Sequence, residues 1–356
     1  MQGEGTARGV LTCRGFGARK NIGDYIQSLA AAQFAGAGAI RVERERLDAY
    51  AGPRARLAMN AWFMHEPGRF PPSSAIEPLF VSFHVRPKIE NEFFTPRTVA
   101  YLKAHGPIGC RSTDMVAMLA RYGIDGEFTS CLTLTLGETF KHHEAPGSPP
   151  VFVDPFFRRL PRGRAWLAIP RFLALLPYAL RHFRVVAALR RRMKFPPLWP
   201  YARFAPVRWL YAAEFHRAYS SAFGDDVLVA AEYLTHDVSK KECPDEDAMF
   251  AKAEALLRRY ECAPFVVTSR LHCTLPCLAM GTPVWTVIAP SMKTGRFGGN
   301  ERFMNVLKYG RDGHVRPLPP LASRDGRYHL CDSPPVKTTH RQYAATLAKR
   351  MREFMA

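Results

Sequence analysis

Residues 266–284 read VVTSRLHCTLPCLAMGTPV. The stretch FVVTS at 265–269 has the pattern of a short buried strand. Leu271 to Met280 follows as a helix closed by Gly281, and PVWTVI at 283–288 opens another strand. Strand, helix and strand in that order build a sheet flanked by helices, so this stretch sets the class as α/β. In such sheets a ligand lies beyond the carboxyl ends of the strands, where helix amino ends also gather. Arg270 and His272 occupy that position, immediately after the strand and before the first helical turn. A guanidinium there can grip a carboxylate through two parallel hydrogen bonds, and an imidazole titrating near neutrality can transfer a proton.

The same alternation extends outward. Asp245 begins a helix whose apolar positions Met249, Phe250, Ala253, Leu256, Leu257 and Tyr260 follow the 3.6 period. Its acids Asp245, Glu246 and Asp247 suit the amino end and Arg258 and Arg259 the last turn, so the triplet reads as capping rather than a metal-binding D-x-D. VLVAAEYL at 227–234 and VFVDP at 151–155 read as strands. Upstream come GVLTC at 9–13, a helix from about Asp24, LFVSFHV at 79–85 and a helix around Val99 to His105. IGCR at 108–111, a helix around Thr113 to Tyr122 and FTSCLTLTL at 128–136 complete the first half. Three prolines and a glycine in 144–150 mark a boundary, predicting one α/β domain over 1–149 and a second over 150–356. A length of 356 residues accommodates two domains.

Hydrophobic residues make up 47% and charged residues 23%, which excludes a disordered, collagen-like or disulfide-stapled chain. The longest stretch without Asp, Glu, Lys or Arg, 271–292, is broken by Pro276, Gly281, Pro283 and Pro290, so it predicts buried elements and not a membrane span. Glu4 and Arg8 stand where a secretory signal needs its apolar run, and a cytoplasmic protein is expected. The eight cysteines form no C-x-x-C pair and are read as reduced. Cys273 and Cys277, four apart on one helix face, read as buried thiols, because no second Cys/His pair completes a metal site.

The net charge of +19 is concentrated. Between Arg158 and Arg217 there are 14 basic residues against the single acid Glu214. Within that segment RFLALLPYALRHFRVVAALRRRMKF at 171–195 reads as a basic amphipathic helix kinked at Pro177. A solvated face on an inserted helical hairpin, docking on an anionic membrane and nucleic-acid binding are the three readings. Trp199, Tyr201, Phe204, Trp209 and Tyr211 would serve the second as interfacial anchors. No RNP motif, zinc finger or helix-turn-helix is present, and no nucleic acid is expected as a partner.

Three further places can carry chemistry. GFGARKNIGDYIQSLAAAQF at 15–34 places Gly15, Gly17 and Gly23 in a loop and Asp24 near a helix start, without Walker or Rossmann spacing; an anion-binding loop and an ordinary strand-to-helix turn both fit. IAPSMKTGRFGGNERF at 288–303 carries Lys293, Arg296 and Arg302 before a helix including Phe303 and Leu307, and either closes over a phosphate or is a solvated basic loop. His84 with Arg86, and Arg111 with Asp114, follow first-half strands.

NIGDYIQSLAAAQF, SFHVRP, GPIGCRSTDMVAMLARYGI, SCLTLTLG and especially TSRLHCTLPCLAMGTPV resemble the polysaccharide pyruvyl transferase family. The resemblance implies two Rossmann-like domains facing a cleft, similar to the B-type glycosyltransferase fold, with 158–217 as a basic helical insertion for which the family offers no motif. It implies transfer of pyruvate from phosphoenolpyruvate to sugar hydroxyls of a capsular, exopolysaccharide or cell-wall glycan, or a lipid-linked saccharide, as a ketal. Phosphoenolpyruvate is a donor substrate, and no cofactor or metal is implied. His272 is the expected acid/base, with Asp24 or His84 as the base for the acceptor. Arg270, Arg296 and Arg111 stabilise charge, and Asn21, Gly23, Arg86, Ser269, Leu271 and Lys293 bind substrate. A nucleotide-sugar-dependent glycosyltransferase and a non-catalytic membrane-surface or nucleic-acid adaptor are the alternatives. A peripheral position on the inner membrane face accords with the basic segment.

Overall fold

The computed structural model describes residues 6–13, 19–195, 199–290, 292, 297–318, 325–332 and 334–356. Lys293 and Arg296, and with them Gly15 and Gly17, lie outside the described residues.

Two mainly parallel sheets, one in each half of the chain, organise a mixed α/β protein. In the first half Ile40–Glu43, Ala7–Thr12, Ala55–Ala58 and Ile76–Leu79 lie side by side in that order, all parallel. In the second half the order is Glu232–Leu234, Val151–Val153, Val266–Thr268, Val284–Ile288, Asn305–Tyr309 and Val315–Leu318; only the last pairing is antiparallel. Its central strands, VFV, VVT and VWTVI, lack polar alternation because their two faces enter two apolar cores. Val151–Val153 and Val266–Thr268 are buried throughout. The expected crossover at 266–284 is present as strand Val266–Thr268, helix Leu271–Met280 and strand Val284–Ile288.

The halves are joined by more than the chain. Arg19–Asn21 pairs antiparallel with Asp237–Ser239. The helix Ile22–Ala35 packs against Glu246–Glu261, with Tyr25 and Phe250 meeting edge to face at 5.1 Å. One apolar core contains Val10, Ile22 and Leu132 from the first half together with Val153, Leu257 and Leu275 from the second. The last helix, Arg341–Met355, returns to the first half, where Phe128 meets Tyr343 at 5.5 Å.

Several expectations are corrected. VLVAAEYL is a helix, Asp225–Ala230, followed by the strand Glu232–Leu234; Asp225 and Asp226 supply the acids that a first helical turn favours. CLTLTL belongs to a buried 3-10 helix, Leu132–Glu138, and LFVSFHV is interrupted at Ser82, whose φ is +58°. Leu307 lies on the strand Asn305–Tyr309, after a short 3-10 turn that includes Phe303.

The basic amphipathic helix is two helices, Ala168–Arg181 and Phe183–Arg192, bent by 109° at His182 and not at Pro177. The bend turns Val186 and Leu189 into the core that also holds Phe152 and Phe223. Nor is 158–217 wholly an insertion: helix Ala205–Tyr219 runs through that same core, and Trp199 and Tyr211, expected as interfacial anchors, are buried in it. Asp245 caps its helix through the Ala248 amide at 2.8 Å, as its reading required.

Candidate active site

The site residues come from three helix starts. Asn21 caps the helix Ile22–Ala35, its Oδ1 accepting from the Gly23 amide at 3.1 Å, and Asp24 follows in the first turn. Arg111 and the capping Ser112 precede the helix Thr113–Arg121. Arg270 precedes the helix Leu271–Met280. Each start presents amide N–H groups without an intrahelical acceptor and the positive end of a helix dipole, so their convergence favours a negatively charged ligand.

His272 is where they meet. Its Nε2 is 3.5 Å from Nη1 of Arg111, and a β-carbon built on Gly23 would stand 3.1 Å from its Nδ1. Gly23 therefore serves close approach, since a β-carbon there would press the imidazole back by a few tenths of an ångström. Pro276, four residues on, lacks the N–H that would close the helical bond to the His272 carbonyl. It is at His272 that the backbone leaves helical values, with φ −80° and ψ 18°.

Arg111 is buried, at 9% exposure, and no carboxylate lies within ion-pair distance of it among the described residues. Burial pulls its pKa below the ordinary arginine value; Cys131 and Asp24 oppose the fall and Arg86 adds to it. A desolvated cation facing another nitrogen base is unfavourable unless an anion completes it. The loop beyond 296 fastens to the same turn: Asn300 donates to the Arg111 carbonyl at 3.0 Å and accepts from Ser130 at 2.5 Å, while the Thr113 amide donates to Gly298 at 3.1 Å.

Arg86 stacks over Trp62 at 3.8 Å, on a ring that also carries Arg44 at 4.3 Å. Arg44 is buried and answered by Glu45 at 2.8 Å. His84, on a strand paired with Trp62–Phe63, has a buried Nδ1 without a partner among the described residues. Burial, then the charges of Arg111 and Arg86, push its pKa well below the ordinary imidazole value, so it is a neutral base at neutral pH.

Arg270 is placed differently from its expected role. Its Nε donates to Asp154 at 2.8 Å and its Nη2 to Asp237 at 2.9 Å, so two internal carboxylates already hold the fork that was to grip a substrate. Burial would lower its pKa, but the two carboxylates outweigh it and the value is raised. Ser269, expected to bind substrate, donates to the Asp154 carbonyl at 2.6 Å, and the Leu271 side chain is buried. Asp154 adopts φ +43°, a strained conformation for a non-glycine residue, held by these bonds and by the His236 amide at 2.9 Å. Arg270, Ser269 and Asp154 thus form the brace under the His272 turn. Asp114 is exposed at its helix start, and Arg302 lies over Phe128 and donates to the Gly299 carbonyl and to Tyr343.

Sequence reasoning missed Asp154, Asp237, Asn300, Arg44 and Arg159. The rule that strand ends carry ligands would have found Asp154 in VFVDP. Arg159 lies within the basic 158–217 segment, where nothing local sets it apart; burial lowers its pKa, with Asp154 and Arg270 exerting opposite influences on it. Arg44 in RVERER reads as a solvated charge run, and no local signal distinguishes it. A cavity of about 410 Å³ between the 134–141 segment and the last helix includes none of these residues.

A family model described as polysaccharide pyruvyl transferase matches residues 72–291, more than half of the chain. The protein belongs to the polysaccharide pyruvyl transferase family. As a pyruvyl transferase of polysaccharide biosynthesis it has His84, Arg86, Arg111, Arg270 and His272 within the matched region, while Asn21, Gly23 and Asp24 precede it. No curated protein matches the chain.

Proposed function

We propose that this pyruvyl transferase takes phosphoenolpyruvate as its donor and builds a pyruvate ketal on two hydroxyls of a capsular, exopolysaccharide or cell-wall glycan. The observation that carries the reading is the buried Arg111 guanidinium, without a carboxylate among the described residues and set 3.5 Å from His272. A small dianion supplies the missing negative charge, and Arg86, Arg111 and the helix starts at Ile22 and Leu271 supply its donors. We read Lys293 and Arg296, next to the segment fastened by Asn300, as further cations for the phosphate.

His272 as imidazolium gives a proton to the methylene carbon of the donor. The adjacent carbon becomes oxocarbenium-like, and Arg111 and its surroundings hold the carboxylate and phosphate against it. One sugar hydroxyl attacks that carbon, its proton passing to Asp24 or to neutral His84. The carbon–oxygen bond to phosphate breaks with its electrons leaving on phosphate, and a second hydroxyl closes the ketal, its proton returning to His272. Arg270 acts as a positioning residue through Asp154 and Asp237. No step calls for a metal or cofactor.

We read the two sheets as the lobes 1–149 and 150–356 of a fold similar to the B-type glycosyltransferases, with the donor between them. Eight free thiols accord with a reducing, cytoplasmic location. We place the basic part of 158–217 against anionic lipid on the inner membrane face, where a lipid-linked acceptor is presented.

The test is phosphate release from phosphoenolpyruvate that depends on an added glycan, with mass analysis of the product. His272→Ala should lower turnover by about 10²–10⁴-fold while donor affinity stays within a few fold. Turnover from a UDP-sugar instead of phosphoenolpyruvate would replace the reading with the glycosyltransferase alternative.

A further inference from the structure

The helix Ala168–Arg181 and the turn before it carry Trp166, Ile169, Leu173, Leu176 and Leu180, with Phe183 just beyond the bend. From Trp166 to Leu180 the positions advance by three and four residues in alternation, the repeat of a single helical stripe, and Phe183 begins the helix beyond the bend. All are exposed, between 38% and 66%, although such a stripe is ordinarily buried. On the same helix Leu175 enters the core and Ala179 packs against it, as Val186 and Leu189 do beyond the bend, so the helix has its inward face satisfied and a second apolar face left open.

The charges around the stripe have one sign. No Asp or Glu occurs from 155 to 213, and Arg164, Arg181, Arg184, Arg191 and Arg192 are exposed beside it. Arg190 lies over Trp209 at 5.2 Å, and Trp209 in turn stacks on Phe183 at 5.3 Å, which joins the basic and apolar parts into one surface.

We propose that this stripe inserts into the interface of an anionic lipid membrane with the Ala168–Arg181 helix lying parallel to the surface, its flanking arginines over the headgroups. The inference rests on the membrane contact proposed above and specifies the residues that make it. Charge complementarity selects the occupant. A second copy seated on the same stripe would bring two arginine-rich surfaces together with no acid to offset them. The helix Ala168–Arg181 alone does not reach across: its 14 residues extend about 21 Å, short of the roughly 30 Å apolar thickness, and no described helix is long and apolar enough to cross. Among the described residues one helix pair has the length and composition for a span, and it is bent by 109°.

The full-length protein is to be sedimented with phosphatidylcholine vesicles with and without about one-third phosphatidylglycerol, while tryptophan emission is recorded. Binding is expected only with phosphatidylglycerol, with a blue shift contributed by Trp166. Neutralising Arg181 and Arg184 to Gln should weaken binding roughly fivefold per charge. The triple variant Ile169→Gln, Leu173→Gln, Leu180→Gln, all at exposed positions, should weaken it by at least tenfold and abolish the shift.

Vesicle binding retained by the triple variant but lost at high salt would leave membrane contact standing on charge alone and overturn the insertion. A dimer in sedimentation velocity that the triple variant abolishes, without vesicle binding, would assign the stripe to a second copy and equally overturn it. Vesicle binding needs neither donor nor acceptor, so its failure leaves the pyruvyl-transfer reaction untouched.

Discussion

Replacing Arg111 by Met separates a binding cation from a structural one. The side chain is buried, its charge is desolvated, and its one side-chain neighbour within hydrogen-bonding distance among the described residues is the imidazole of His272. Methionine keeps the apolar stem in place and removes the charge. A buried charge without an opposite partner costs several kcal/mol even after relaxation. The fold should therefore lose nothing on substitution, and urea unfolding should give a stability equal to or above that of the wild type.

Donor binding should move the other way. Two charge-assisted hydrogen bonds to a carboxylate or phosphate contribute about 1.5–3 kcal/mol each. Their loss should weaken phosphoenolpyruvate binding by roughly 10²-fold or more in calorimetric titration. His84 supplies an independent readout: Arg111 is one of the two charges holding its pKa down, so the imidazole should titrate closer to its ordinary value in the variant. Donor affinity within threefold of wild type, or a loss of stability above about 2 kcal/mol, would refute the assignment and make Arg111 a structural residue.

Asp154→Asn leaves Arg270 with Asp237 alone and should cost about 3 kcal/mol of unfolding free energy, read from the urea midpoint; an unchanged midpoint would mean the brace is dispensable. Gly23→Ala puts a methyl 3.1 Å from the His272 Nδ1, and turnover should fall up to about tenfold with little change in melting temperature, whereas wild-type turnover would separate the two residues functionally. Stability should also depend on pH. The unfolded His84 binds a proton below about pH 6.5, which the folded residue refuses until well below that value, so the folded state is favoured above 6.5 and loses ground as pH falls. His84→Gln should shallow that fall in melting temperature between about pH 7.5 and pH 5.5, and identical slopes would remove His84 as its source.

Much of the site was legible because helix starts announce themselves. Asn21 before Ile22, Ser112 before Thr113 and Arg270 before Leu271 each follow a strand, and that grammar located Gly23, Asp24, Arg111 and His272. The same local reading failed where burial decides. CLTLTL alternates like a strand yet is wound into a buried 3-10 helix, and VLVAAEYL starts with residues of high strand propensity that tertiary packing holds as a helix.

The charges show the division most clearly. Arg270, Arg159 and Arg44 are identical in kind to the arginines of 181–192, but tertiary structure sends the first to Asp154 and Asp237, the second to Trp199 and the third to Glu45 and Trp62. Local order alone determined the α/β class, the position of the strand ends, the capping of several helices and the density of positive charge in 158–217. Which cations are neutralised by carboxylates, which stay unanswered beside His272, and which apolar stripe remains open were decided by contacts between residues far apart in the chain, 161 positions for Arg111 and His272. Periodicity and capping are short-range properties of the chain. The pairing of a charge depends on which distant acid the folded backbone carries to it, and that information is absent from any single segment.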